Sequence, residues 1–216
     1  MKIDQNNSII SVYGVGNIKV KPNIIRINFN FSHISKTINE AQIEVNKMVD
    51  ILLKRTNELC IKNVQTNTIK FYPEYEWKNQ KNVLKGQKVE QSLTVTIDDL
   101  KINLEKAKSL IDKITIDIDS MNCSVYFGIN NYEEKIKEAR NTAYNDALEK
   151  AQQYAKQANL RIIKTIKISE FEPKIDNNYE YDGRECCIAG SSSSPTNMPL
   201  SDIDIEKRLY CDFLAQ

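Results

Sequence analysis

Alanine recurs at every fourth position across Ala139, Ala143, Ala147, Ala151 and Ala155, within the longest helical stretch of the chain at about 132 to 159. A step of four overshoots one helical turn by about 40°, so these alanines form an inclined ridge rather than a stripe parallel to the axis. Side chains this small let another backbone approach closely. That backbone belongs either to the protein's own sheet or to a neighbouring subunit, and the intramolecular partner is the expectation.

The rest of the pattern supplies the sheet. Residues 9–20 (IISVYGVGNIKV) are rich in β-branched side chains, and Gly14 and Gly16 within them predict a strand with a bulge or a close backbone approach. After Pro22-Asn23, residues 24–35 alternate, with Ile25, Ile27, Phe29 and Phe31 on one face and Arg26, Asn28 and Asn30 on the other, as in a half-buried antiparallel strand. The period then changes. Ile38, Ala41, Val45, Met48, Leu52 and Leu59 predict an amphipathic helix at about 37–60, capped by Thr37 with Glu40 completing a capping box.

Residues 64–76 and 88–97 predict two strands around a polar loop at 78–86, with Gly86 supplying the turn. Asp98 or Asp99 is expected to cap a second helix built on Leu100, Leu104, Ala107, Leu110, Ile111 and Ile114. Residues 122–130 and 162–171 read as further strands, and 203–214 as a closing strand. Between the last two, the low-complexity stretch from 174 to about 200 is too long for an ordinary connection. The expected organisation is an N-terminal tail at 1–8 and an α+β domain at 9–172, of mostly antiparallel sheet packed against about three helices. A long irregular loop at 173–202 and a closing strand of the same domain at 203–216 complete it.

Charge narrows the function classes. The 216 residues hold 30 Lys and Arg against 29 Asp and Glu, for a net charge of +1, which argues against nucleic-acid binding because phosphate contacts demand a basic excess. Lys outnumbers Arg 24 to 6, and with 23 Asn and 29 Ile this reads as AT-rich codon usage rather than a binding signal. No apolar run approaches the roughly 18 to 20 residues of a membrane helix. The start of the sequence, MKIDQNN, has neither the charged start nor the apolar stretch of a signal peptide. Either the protein is cytoplasmic, or the chain is a mature or trimmed form.

Candidate chemistry is sparse. His33 is the sole histidine, assigned to the polar phase of its strand, and one histidine severely limits nucleophilic triads and zinc sites. Tyr72, Tyr75 and Trp77 around Pro73 form an aromatic group at a strand end and are the candidate interaction surface. Asp112, Asp117 and Asp119, and the series Glu170, Glu172, Asp176, Glu180, Asp182 and Glu185, lack the loop pattern of a calcium site and read as solvated acidic faces. Gly14-Val15-Gly16 lacks the continuation of a phosphate loop. Five cysteines without CxxC spacing indicate neither zinc nor a thioredoxin-type motif. Cys60, Cys123 and Cys211 are expected as small apolar core residues, whereas Cys186 and Cys187, in the irregular segment, are the candidate redox pair. No catalytic residue, metal or cofactor is expected.

The order of elements and their punctuation resembles the SIMPL-domain family. SVYGVGNIKVKPNIIRI is similar to its N-terminal strand pair, with Asn23 where an Asp is usual. NEAQIEVNKMVDILLKRTNELCIKNVQTNTIKFYPEYEW matches best, through Ala41, Asn46, Ile61, Gln65-Thr66, Pro73 and Tyr75. QSLTVTIDDL resembles its second-half strand and helix start, with Gln87 in place of an aromatic. ALEKAQQYAKQANL resembles its C-terminal helix, with Asn159 where Gly is typical; Asn is the next-best residue for a left-handed helix terminus. The resemblance covers about 9–172 and the final strand. It implies an α+β fold, export to the bacterial cell envelope (periplasm), assembly into ring-like or channel-like homo-oligomers, and a loose link to oxidative-stress defence. Animal relatives are regarded as signalling adaptors, so a protein-binding adaptor is the alternative, and a thiol-based redox protein using Cys186 and Cys187 a further one. No catalytic residues carry over from the family.

Overall fold

The computed structural model describes residues 8–78, 80–118, 121–170 and 197–216. The elements are β1 (Ser8–Val20), β2 (Ile24–Ser35), α1 (Ile38–Glu58), β3 (Asn63–Lys78), β4 (Lys81–Asp98), α2 (Leu100–Asp117), β5 (Met121–Gly128), α3 (Tyr132–Gln157), β6 (Ile162–Glu170) and β7 (Ile203–Ala215). Two antiparallel sheets and three helices give the expected α+β fold. The chain forms two compact units, one from the described residues of 1–21, 131–182 and 201–216, the other from those of 22–130 and 183–200.

The first unit is a three-stranded sheet in the order β1-β7-β6 with α3 on one face. The alanine ridge meets this sheet, and the glycines of β1 explain how. A Cβ on Gly14 would stand 2.6 Å from Ala147 N, and one on Gly16 would stand 2.7 Å from Ala143 N, with the carbonyl oxygens of Ala143 and Ala139 closer still. Helix and strand therefore touch backbone to backbone, and Ala139, Ala143, Ala147 and Ala151 are fully buried. β1 pairs with β7 in unbroken register, so the glycines mark close approach and not a bulge. Phe213, Cys211 and Leu209 of β7 complete this core.

α3 also covers the free edge of β1. Asp146 Oδ2 accepts from Val15 N–H at 2.7 Å and from Lys150 Nζ at 2.7 Å, while Lys150 Nζ donates to the Tyr13 carbonyl at 3.2 Å. One ion pair thus satisfies two outward backbone groups that another strand would otherwise use. The helix ends as its Asn requires. Asn159 has φ 54°, its N–H donates to Lys156 O, and Leu160 N–H donates to Ala155 O at 2.8 Å, a Schellman closure.

The second unit is a four-stranded sheet in the order β3-β4-β2-β5, with α1 and α2 on the face that carries Ile25, Ile27, Phe29 and Phe31. Thr37 Oγ1 accepts from Glu40 N–H at 3.2 Å, the expected cap of α1. The same helix ends in a second Schellman closure, with Cys60 at φ 55°, Cys60 N–H on Asn57 O and Ile61 N–H on Thr56 O. Arg55 joins the two helices, its Nε donating to Asp117 Oδ2 at 2.7 Å and its Nη2 to Oδ1 at 3.2 Å. Asn23, the departure from the family's Asp, holds two chain segments together: its Oδ1 accepts from Asn130 N–H at 2.8 Å and its N–H donates to Gly128 O at 2.9 Å.

Four local expectations need correction. Gly86 is not in a turn but buried within β4, where a Cβ would meet Ser35 O at 2.6 Å; the strands run on through the supposed loop to a tight connection at Gln80, φ 60°. Asp99 occupies the cap position of α2 at φ 53° without a side-chain cap, and Asn103 Nδ2 donates instead to Asp98 O. Cys60 is exposed, because the residue after a helix end points away from the core it terminates. His33 sits opposite Val89, on the face of Phe29 and Phe31 and not with Asn28 and Asn30, because its odd position shares their phase.

Candidate functional site

β2 pairs with β4 only as far as Ser35 opposite Gln87, yet β3 and β4 remain paired to Lys78 opposite Lys81. The last turns of this hairpin are therefore a two-stranded ribbon reaching past the sheet. An extra residue in β4, at the register shift between Glu74 and Tyr75, brings Leu84 opposite Tyr75. Alternation along β3 then sets Ile69, Phe71, Tyr75 and Trp77 on one face, with Leu84 beside them. All five are exposed, Trp77 most of all at 70%. This is a contiguous apolar stripe, of the kind that marks interaction surfaces.

Of the expected aromatic group, the structure unites Tyr75 and Trp77 and separates Tyr72, which is three residues from Tyr75 and so faces the other side of the ribbon. There its neighbours are Lys88 and Glu90. Lys88 Nζ lies 2.7 Å from Glu90 Oε1 and 5.6 Å from the Tyr72 ring centre. Hydrogen bonding to Glu90 raises the Tyr72 phenol above its ordinary value, while Lys88 first and Tyr72 second hold the Glu90 carboxyl below its own. Ile69, Phe71 and Leu84 complete the stripe; Ile69 and Leu84 escape a reading that searches for aromatics, and Phe71 lies outside the group taken around Pro73. The signal for Ile69 and Phe71 was the period-two alternation through 69–77, whereas Leu84 joins them only through the bulge.

The polar face of the same sheet is concave. A cavity of about 350 Å³ lies over it, floored by Asn28 and Asn30 of β2 with Glu90 and Ser92 of β4. Thr68 and Lys70 of β3 flank one side, and Asn122 and Ser124 of β5 the other. A second bulge, between Thr66 and Thr68, turns Asn67 onto this face. Its Nδ2 donates to Thr94 Oγ1 at 2.7 Å, and Thr94 Oγ1 donates to Asn28 Oδ1 at 2.6 Å.

The remaining candidates disperse. His33 is half-buried at the end of β2. Asp117 is held below the ordinary carboxylate range by Arg55, and among the described residues no three His, Cys, Asp or Glu side chains converge to hold a metal. Burial pushes the Glu170 carboxyl up, but hydrogen bonds from Arg140 and Lys207 outweigh it and leave the group below its ordinary value. Burial pushes the Cys123 thiol up to about 11 and raises Cys211, so both are poor nucleophiles. Cys186, Cys187, Asp119, Glu172, Asp176, Glu180, Asp182 and Glu185 lie outside the described residues. Among the described residues no helix is long and apolar enough to cross a membrane.

A family model described as SIMPL, protein of unknown function (DUF541), matches residues 10–209. Two curated relatives, from Brucella melitensis biotype 1 and Brucella abortus strain S19, both carry the name 26 kDa periplasmic immunogenic protein. Each is 27% identical over 168 residues, covering 74% of this chain and 66% of the relative. The chain thus spans just under two thirds of the length of the curated relatives it matches. With the family match running from β1 through all three helices into β7, this chain belongs to the SIMPL family.

Proposed function

We propose that this protein is a non-enzymatic component of the bacterial cell envelope that assembles into a homo-oligomer through the apolar stripe of the β3–β4 ribbon. The observation that carries the reading is the exposure, on one face of the β3–β4 hairpin, of Ile69 and Phe71 on the sheet's edge strand and of Tyr75, Trp77 and Leu84 on the ribbon that outreaches the sheet. Side chains of this size gain about 1.5 to 3 kcal/mol each when fully buried, so a second apolar surface is their natural complement. A net charge of +1 sets up little repulsion between copies. The periplasmic location rests on the names of the Brucella relatives. In this reading any tie to oxidative-stress defence runs through the assembly and not through Cys123 or Cys211, whose burial disfavours the thiolate.

Native mass by size-exclusion chromatography with light scattering tests the proposal. The wild type is expected to be oligomeric, and the Tyr75→Ser/Trp77→Ser variant to fall to lower mass with an unchanged circular dichroism spectrum. A monomer at every concentration and salt would end the assembly reading. A monomer that captures another protein through Tyr75 and Trp77 would support the adaptor role instead.

A further inference from the structure

We infer that the concave polar face of the four-stranded sheet is a carbohydrate-binding site. It lies on the opposite side of the sheet from the apolar stripe and does not depend on assembly through that stripe.

The cavity presents oriented hydrogen-bonding groups. Asn67, Thr94 and Asn28 form a relay across three strands, Asn67 Nδ2 to Thr94 Oγ1 to Asn28 Oδ1. Thr94 can donate only one hydrogen, and spending it on Asn28 Oδ1 fixes which way that amide points. Both Nδ2 hydrogens of Asn28 are then directed to other acceptors, and no described residue accepts from them. The bulge that begins the relay is the kind of irregularity that re-aims side chains beside functional sites. At the other end Glu90 is held in place by Lys88 at 2.7 Å, presenting a fixed acceptor. Asn30, Ser92 and Asn122 between these ends make no side-chain hydrogen bond to a described residue.

These groups select the ligand class. Carboxamides and hydroxyls both donate and accept, which matches a ligand whose own groups do both. The described lining carries one Lys and one Glu, and with Lys88 set on Glu90 a single surplus positive charge stands there, without the cluster of cations that holds a phosphate or a polyanion. Every described lining side chain carries a polar group, so an apolar ligand gains little there. A neutral molecule bearing many hydroxyls fits what remains. Its described lining residues include a single carboxylate and not the paired acids of a glycosidase, so the site is assigned to binding and not to cleavage.

The test is a ¹⁵N NMR titration of the full chain with chitotetraose and, separately, with cellotetraose, which lacks the acetamido groups. Saturable shifts at Asn28, Asn30, Ser92 and Asn122 with at least one sugar are expected, at the millimolar affinity of a shallow site. Asn28→Ala is expected to weaken binding about tenfold. Thr94→Val, which cannot pass the hydrogen bond along, is expected to weaken it similarly, while Thr94→Ser restores it. Melting curves matching the wild type verify that each variant folds. No saturable shift with either sugar, or full affinity in folded Asn28→Ala, would overturn the site. Equal loss in Thr94→Val and Thr94→Ser would overturn the relay.

Discussion

Cys60 and Asn159 hold equivalent positions, each following a helix in the left-handed region at φ 55° and 54°. Asn tolerates that conformation through its short polar side chain, whereas cysteine does not, at a cost of about 1 kcal/mol or more. Cys60→Gly is therefore expected to raise stability by about 1 kcal/mol in urea denaturation, and Asn159→Gly by less. The Asn159 terminus was legible because its residue type and the end of the alanine ridge agree. Cys60 was not, since a cysteine near a helix end reads equally well as core. Gly16 tests the opposite case. Its β-carbon would overlap helix backbone, which cannot yield as a side chain can, so Gly16→Ala is expected to cost about 3 kcal/mol or more. A loss within a few tenths of a kcal/mol would show that α3 does not lie on β1 as described.

At the level of elements, the alternation of β2 and the four-residue alanine step predicted their strand and helix well, because both report local geometry directly. The contact between ridge and Gly14-Val15-Gly16 was half legible: each side signalled close approach, but the two lie more than a hundred residues apart. Asp146 gave no signal at all, because its role depends on where Val15 N–H points after folding. Lys150 first and Val15 N–H second hold its carboxyl below the ordinary value. A depressed carboxyl contributes stability that is present above its unfolded pKa, near 3.9, and is lost as pH falls through the folded value. Acidification below about pH 4 should therefore remove a contribution from the wild type that Asp146→Asn never has. The side chain is about one third exposed, so the difference should stay at or below about 1 kcal/mol. Thermal melts of both proteins between neutral and acid pH measure it, and parallel curves would contradict the edge-capping role.

For the whole molecule, the α+β class and the antiparallel sheets followed from the order of strand-like and helix-like periods. The candidate surface was only partly legible. Tyr75 and Trp77 stood out as aromatics, but their separation from Tyr72 depends on strand phase. Their union with Leu84 depends on a bulge, which shifts β4 by one residue relative to β3. Such a shift moves a side chain to the other face, and no periodicity in β3 alone foretells it. Because these residues lie on a projecting ribbon, Tyr75→Ser and Trp77→Ser are expected to change monomer stability by no more than about 0.5 kcal/mol. Their effect should appear in native mass alone.

Trp77 is the sole tryptophan, so its fluorescence reports the ribbon without interference. The most direct measurement is acrylamide quenching of that fluorescence across a dilution series whose native mass is followed in parallel. The account predicts a blue-shifted emission and weak quenching at concentrations where the protein is oligomeric, both reverting as it dissociates. An oligomer whose Trp77 stays as quenchable as a free indole would contradict it, because assembly would then leave the stripe in water.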